Sequence, residues 1–189
     1  MTPHLLSIRA LTKAYHAGLR GCSATARAVD DVSFRVDRGE VVAIVGGPSS
    51  GKTTLLLCAA GLLVPDVGVV ERGDCGELAH ARALYFTDPI HVRATDDAEP
   101  WDLALVDNVD RVHGDVARAF ALCAAIRHTR NHGAALLLAT RDANVVQQLA
   151  DRILVLERGR LISSIVSPWP TAAARVAERR SVDRDSGRA

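Results

Sequence analysis

Eight consecutive residues, Gly46, Gly47, Pro48, Ser49, Ser50, Gly51, Lys52 and Thr53, carry the strongest chemical signal in this chain. They fit the phosphate-binding pattern G-x-x-x-x-G-K-[ST] at every fixed position. Glycines let a backbone wrap an anion, the lysine brings a cation to a phosphate chain, and the threonine hydroxyl is a hard oxygen ligand suited to Mg²⁺. The flanks suit that chemistry. Residues 41–45 are an apolar run that reads as a buried strand, and residues 54–60, opening on Thr54, read as a helix. A helix N-terminus aims free N–H groups and the positive end of its dipole at the loop. The alternative is an ordinary Gly/Ser turn. Against it, arginine supplies 21 of the 23 basic residues, yet this position holds Lys52, one of two lysines.

Other candidates are weaker. Asp107 closes the apolar run 103–106, where a carboxylate at a strand end can hold Mg²⁺ through water or simply cap the turn. His128 and His132 stand four apart without the acidic residue of a zinc-protease motif, and charge compensation at a helix end is the better reading. Residues 96–99, Asp-Asp-Ala-Glu, read as a solvated loop. Asp110 and Asp115, just past the apolar run 103–106, could serve as a proton acceptor, but solvated caps are the better reading.

Strands and helices alternate along the chain. Strands are predicted at residues 5–11, 32–36, 41–45, 69–74 (with a turn), 81–86, 103–106 and 134–139, and helices at 52–60, 115–130 and 143–150. Residues 153–156 and 161–165 form a hairpin about the turn 157–160. The 65–68 segment reads as a loop and 88–101 as polar and irregular. In the 115–130 helix the apolar spacing places Val116, Ala119, Phe120, Cys123 and Ile126 inward. The alternation predicts an α/β fold with a mostly parallel sheet covered on both faces, and a small N-terminal antiparallel β portion. One domain over residues 1–166 is expected, followed by a basic, disordered tail over 167–189.

Composition excludes several functions. A net charge of +1 leaves no electrostatic footprint for nucleic acid or an anionic membrane. Cys22, Cys58, Cys75 and Cys123 have no C-x-x-C spacing and read as reduced, mostly buried thiols of a cytoplasmic protein. The first residues lack a signal-peptide pattern, and the apolar stretch 55–70 is broken by Gly61, Pro65, Asp66 and Gly68, so no membrane insertion of its own is expected.

The order of these features resembles the ATP-binding subunits of ABC transporters over about residues 5–165. Tyr15, in Leu11-Thr12-Lys13-Ala14-Tyr15, is similar to the aromatic residue that stacks on adenine in that family; a strand-end tyrosine with no ligand is the alternative. Residues 28–34, 38–40 and 60–63 match family stretches of the same spacing. Asp107 is then the Walker B aspartate, a metal-site residue with Thr53. Residues 139–142 and 149–160 resemble the family's C-terminal stretch. The resemblance implies a P-loop NTPase fold, ATP and Mg²⁺ as cofactors, and a membrane permease or another ATP-binding subunit as partner. It also implies a cytoplasmic location, peripheral at the inner face of the membrane through that partner.

The departures are chemical. The glutamate that polarises the attacking water in the family is replaced by Asn108, which takes no proton at neutral pH. The switch histidine is replaced by Arg141, which can pair with a γ-phosphate but is no neutral acceptor. The expected glutamine falls at Thr87. Between Thr87 and Asp107 there is no helical subdomain and no Leu-Ser-Gly-Gly-Gln-type signature. Asn108 and Arg141 are thus degenerate catalytic positions. Mg·ATP binding with weak or absent hydrolysis is expected. The second possibility is a non-hydrolysing nucleotide-binding module that regulates another protein.

Overall fold

The computed structural model describes residues 4–19, 22–73, 83–89, 91, 101–146 and 149–166. Its centre is a six-stranded sheet in the order β5-β6-β7-β3-β8-β9, made of β3 (Val41–Val45), β5 (Ala83–Phe86), β6 (Leu103–Val106), β7 (Ala135–Thr140), β8 (Arg152–Glu157) and β9 (Arg160–Val166). All neighbouring pairs are parallel except the β8–β9 hairpin. A second sheet, β2-β1-β4, is antiparallel and joins β1 (His4–Leu19), β2 (Cys22–Asp37) and β4 (Val67–Arg72). This is the predicted α/β architecture of a P-loop NTPase, with its small N-terminal antiparallel portion.

The central strands are apolar throughout because both faces are covered. Their side chains divide by parity. Val42 and Ile44 of β3, Leu103 and Leu105 of β6, and Leu137 of β7 pack with Leu55 and Leu56 of α1 (Lys52–Ala60) and with Leu6, Leu11 and Val32 of the antiparallel sheet. Val41, Ala43, Ala104, Val106, Leu136 and Leu138 face the other way, onto Leu122, Ala125 and Ile126 of α2 (Val116–His132). One helix therefore sits on each face, and the loops at the C-terminal ends of β3, β6 and β7 share one edge.

Four expectations change. The N-terminal hairpin is far longer than residues 5–11 and 32–36 suggested, because bulges between Ile8 and Ala14 break the alternation that would reveal it. β4 begins at Val67, inside the expected loop. The third helix is short, α3 (Ala143–Val146), and residues 149–150 are not helical. Helix α2 buries Ala121, Leu122, Ala125 and Ile126, whereas Val116 is 86% and Phe120 52% exposed and Cys123 is exposed. That helix is apolar on several sides, so spacing alone could not choose the inward face. The expected acidic loop at 96–99 and the tail over 167–189 lie outside the described residues.

Candidate functional site

The loop between β3 and α1 is held from behind. Gly51 has φ +103°, and a Cβ there would lie 2.0 Å from the Ala28 carbonyl oxygen of β2. A Cβ on Gly46 would lie 2.2 Å from the Leu156 oxygen. Gly159, in the β8–β9 turn, ties the two together: its N–H donates to Ser50 O at 2.9 Å and its carbonyl accepts from Asp30 N–H at 2.8 Å. Gly47, by contrast, faces open space, with nothing within 4 Å of a built Cβ. Glycine is thus forced at Gly46 and Gly51 by the backbone behind them, while the front of the loop stays open to a ligand.

Lys52 Nζ lies over that front, donating to Gly46 O at 2.6 Å, Gly47 O at 2.7 Å and Ser50 Oγ at 3.1 Å. Burial lowers its pKa, Asp107 and Asp110 oppose that shift, and Arg141 adds to it. Beside the loop is a pocket of about 340 Å³, walled by residues 49–54 on one side and by Tyr15, Ala26, Arg27 and Ala28 on the other. Tyr15 is 46% exposed, with its hydroxyl 3.4 Å from Thr54 Oγ1. Pro48 and Ser49 are exposed at the loop's tip, and Ser49 takes a positive φ of 56°.

Thr53 and Asp107 meet across the sheet. Thr53 Oγ1 donates to Asp107 Oδ2 at 2.6 Å. Tyr85 OH donates to the same oxygen at 3.3 Å, and the Asn108 N–H donates to Oδ1 at 2.8 Å. Burial, followed by the charge and hydrogen bond of Asp107, pushes the Tyr85 phenol up to about 12. A hydroxyl and a carboxylate side by side, next to an open glycine cradle, form an oxygen donor set that fits Mg²⁺ on a phosphate chain.

The two altered positions are both tied to neighbours. Asn108 has φ +54°, and its Nδ2 donates to Thr87 O at 3.3 Å. Arg141, just past β7, donates from Nη2 to Asp110 Oδ2 at 2.8 Å, and its N–H donates to Asp110 Oδ1 at 3.2 Å. Thr140 Oγ1 also donates to Asp110 Oδ1 at 3.2 Å. Asp110 is therefore an ion-pair and turn anchor with its side chain 16% exposed, and not a solvated cap. Burial pushes its carboxyl up, but the side-chain and backbone bonds of Arg141 outweigh that, and it sits below the usual carboxylate range. Asp115 does cap α2, accepting from Arg118 N–H at 3.0 Å. His128 stacks between Trp101 and His132, with centroids 4.4 and 4.5 Å apart.

Gly46 to Thr54, Tyr15, Asp107 and Asn108 thus gather at one edge of the sheet, with Arg141 on the adjoining strand end. The sequence did not single out Tyr85, Gly159 or Arg27, and it misread Asp110. The turn signal at residues 157–160 marked Gly159 as a hairpin residue and nothing more.

Comparison with known proteins places this geometry. Residues 29–98 match the ABC transporter family model. A phosphonates import ATP-binding protein of Natronomonas pharaonis is 45% identical over 67 residues, 35% of this chain and 25% of that protein. A sulfate/thiosulfate import ATP-binding protein of Rhodopseudomonas palustris is 51% identical over 57 residues, 30% of this chain and 16% of that protein. The matched stretches thus span a quarter or less of these relatives' length. Among solved structures, a dimeric ATP-binding cassette in a post-hydrolysis state bound to ADP and Pi aligns with a TM-score of 0.66 at 14% identity, covering 87% of this chain and 99% of that one. A component of a Clostridium perfringens ABC transporter complex aligns with a TM-score of 0.62 at 16% identity, covering 98% and 95%. At such identities the likeness is one of fold. The chain has the P-loop NTPase fold of ABC ATP-binding cassettes and resembles, in shortened and degenerate form, the ATP-binding subunits of ABC transporters.

Proposed function

We propose that this chain binds Mg·ATP at the 46–54 loop and turns it over far more slowly than a complete ABC site, as the nucleotide-binding partner of a membrane permease. The observation that carries the reading is the 2.6 Å contact between Thr53, in the first turn of α1, and Asp107, at the end of β6, which joins the two halves of a metal–phosphate site. Lys52 swings from its own loop's carbonyls to the phosphates, Tyr15 packs on the base, and Arg27 and Ala28 border the pocket. Mg²⁺, when bound, neutralises phosphate charge, held by Thr53 with Asp107 behind it. The relatives named as import ATP-binding proteins support the partner and a place at the inner face of the membrane. Among the described residues no helix is long and apolar enough to cross a membrane.

A second reading, a non-hydrolysing module whose ATP-bound form is recognised by another protein, is favoured by Asn108. Its amide is engaged with Thr87 O and is no proton acceptor. Calorimetry tests the shared part of both readings. Lys52→Ala removes a charge-assisted contact worth about 1.5–3 kcal/mol, so Mg·ATP affinity should fall roughly tenfold or more. Equal affinities would overturn both readings. Light scattering tests assembly: with no signature sequence between Thr87 and Asp107, Mg·ATP should not drive the chain alone into a dimer. A nucleotide-dependent dimer would show that another segment supplies that loop.

A further inference from the structure

Asp107 is 3% exposed, and a carboxylate so far from water needs donors on both oxygens. Oδ1 is served by the Asn108 N–H from within the same turn. Oδ2 receives two hydroxyls from different elements, Thr53 of α1 and Tyr85 of β5. The β5–β6 pairing sets Tyr85 opposite Leu105 and Phe86 opposite Val106, and the Asp107 N–H continues the ladder to Phe86 O at 2.8 Å. The end of β5 therefore grips Asp107 by backbone and side chain together.

The grip matters because the aspartate χ2 torsion is broad and nearly two-fold. With one donor fewer on Oδ2, less holds the carboxylate turned to the loop. Thr53 has a single hydroxyl proton. While it goes to Asp107, both oxygen lone pairs stay available to a cation. We infer that Tyr85 is a positioning residue of the metal site: by donating to the same Asp107 oxygen as Thr53, it keeps the carboxylate turned to the loop and the threonine oxygen free for a divalent ion. This rests on the reading of Thr53 and Asp107 as a Mg–nucleotide site.

The test uses Mn²⁺ as the probe, followed by electron paramagnetic resonance, with a non-hydrolysable ATP analogue and the whole chain. Tyr85→Phe removes only the hydroxyl. Mn²⁺ affinity in the ternary complex should fall roughly three- to tenfold, the worth of one hydrogen bond. Analogue affinity in EDTA, read by calorimetry, should change less than twofold. Equal weakening with and without metal would make Tyr85 a packing residue and overturn the inference. Unchanged Mn²⁺ affinity in Tyr85→Phe with a loss in Asp107→Asn would overturn it while leaving the site reading intact. No loss in Asp107→Asn would sink the site reading itself. Tyr85→Phe combined with Thr53→Ala gives an independent check. Two donors serving one oxygen should give coupled, non-additive losses in Mn²⁺ affinity, and additive losses would refute the shared-oxygen argument.

Discussion

Asn108→Glu restores the acid that the ABC resemblance leads one to expect, and the local geometry says what that restoration costs. Asn108 holds φ +54° and ψ 42°, a left-handed conformation that asparagine tolerates and glutamate adopts poorly. A glutamate is about 1 kcal/mol worse there. It also loses the amide bond to Thr87 O, about 0.5–1 kcal/mol for a contact of this length. A second carboxylate beside buried Asp107 adds repulsion of about 1 kcal/mol or more. The sum is about 2.5–3 kcal/mol or more, which in a chain of this size lowers the melting temperature by roughly 5–12 °C.

The same change supplies a proton acceptor, and general base catalysis typically contributes about 10²–10⁴-fold. Stability and turnover should therefore move in opposite directions in one variant. Thermal melts and phosphate release read the two. Asn108→Gly is the control, since it accepts the backbone conformation and loses only the amide; it should melt closer to wild type and gain no turnover. An Asn108→Glu protein that melts within about 1 °C of wild type would refute the backbone argument. A folded Asn108→Glu protein with no added phosphate release would refute the missing base as the main defect and leave the absent signature loop as the cause.

Two further expectations concern stability. Gly51→Ala should be severely destabilising or displace the loop, given its φ of +103° and the 2.0 Å approach to Ala28 O, whereas Gly47→Ala should melt within about 2 °C of wild type; equal effects would show that the loop is not held from behind. Asp110 contributes stability above its unfolded-state pKa that is lost as pH falls through its lower folded value, so urea midpoints of wild type should drop more steeply below about pH 4 than those of Asp110→Asn. Parallel pH profiles would remove Arg141 as its partner.

What the sequence made legible follows from where the information lay. The 46–53 loop was readable because its chemistry depends on residue types at fixed short spacing, and the strand before it and the helix after it are contiguous with it. The parallel strands were readable because burial on both faces makes them continuous apolar runs. The long hairpin was not, since bulges near Ala10 reset the alternation after every few residues. The inward face of α2 was not, because the strands beneath it choose Ala121, Leu122 and Ala125 over an equally apolar stripe through Val116 and Phe120. Asp110 and Arg141 are 31 residues apart, and only the adjacency of the β6 and β7 ends brings them together.

That last point bears on how the departures from the ABC pattern are understood. Read one at a time along the chain, Asn108 and Arg141 are losses. In the fold each has a partner outside the pattern: Asn108 bonds the backbone at Thr87, where the expected glutamine is also missing, and Arg141 bonds Asp110, whose carboxylate also receives Thr140. Each altered position thus has a direct contact of its own, Asn108 to a backbone carbonyl and Arg141 to a carboxylate. Arg141→His takes the guanidinium from Asp110 but leaves it the residue-141 N–H and the Thr140 hydroxyl, and Asn108→Glu takes the amide donor from a Thr87 carbonyl that water can reach. The Arg141 guanidinium adds charge-assisted bonds to a carboxylate whose side chain is only 16% exposed, where such bonds are strongest. Both altered residues are therefore built into this edge of the sheet by hydrogen bonds of their own.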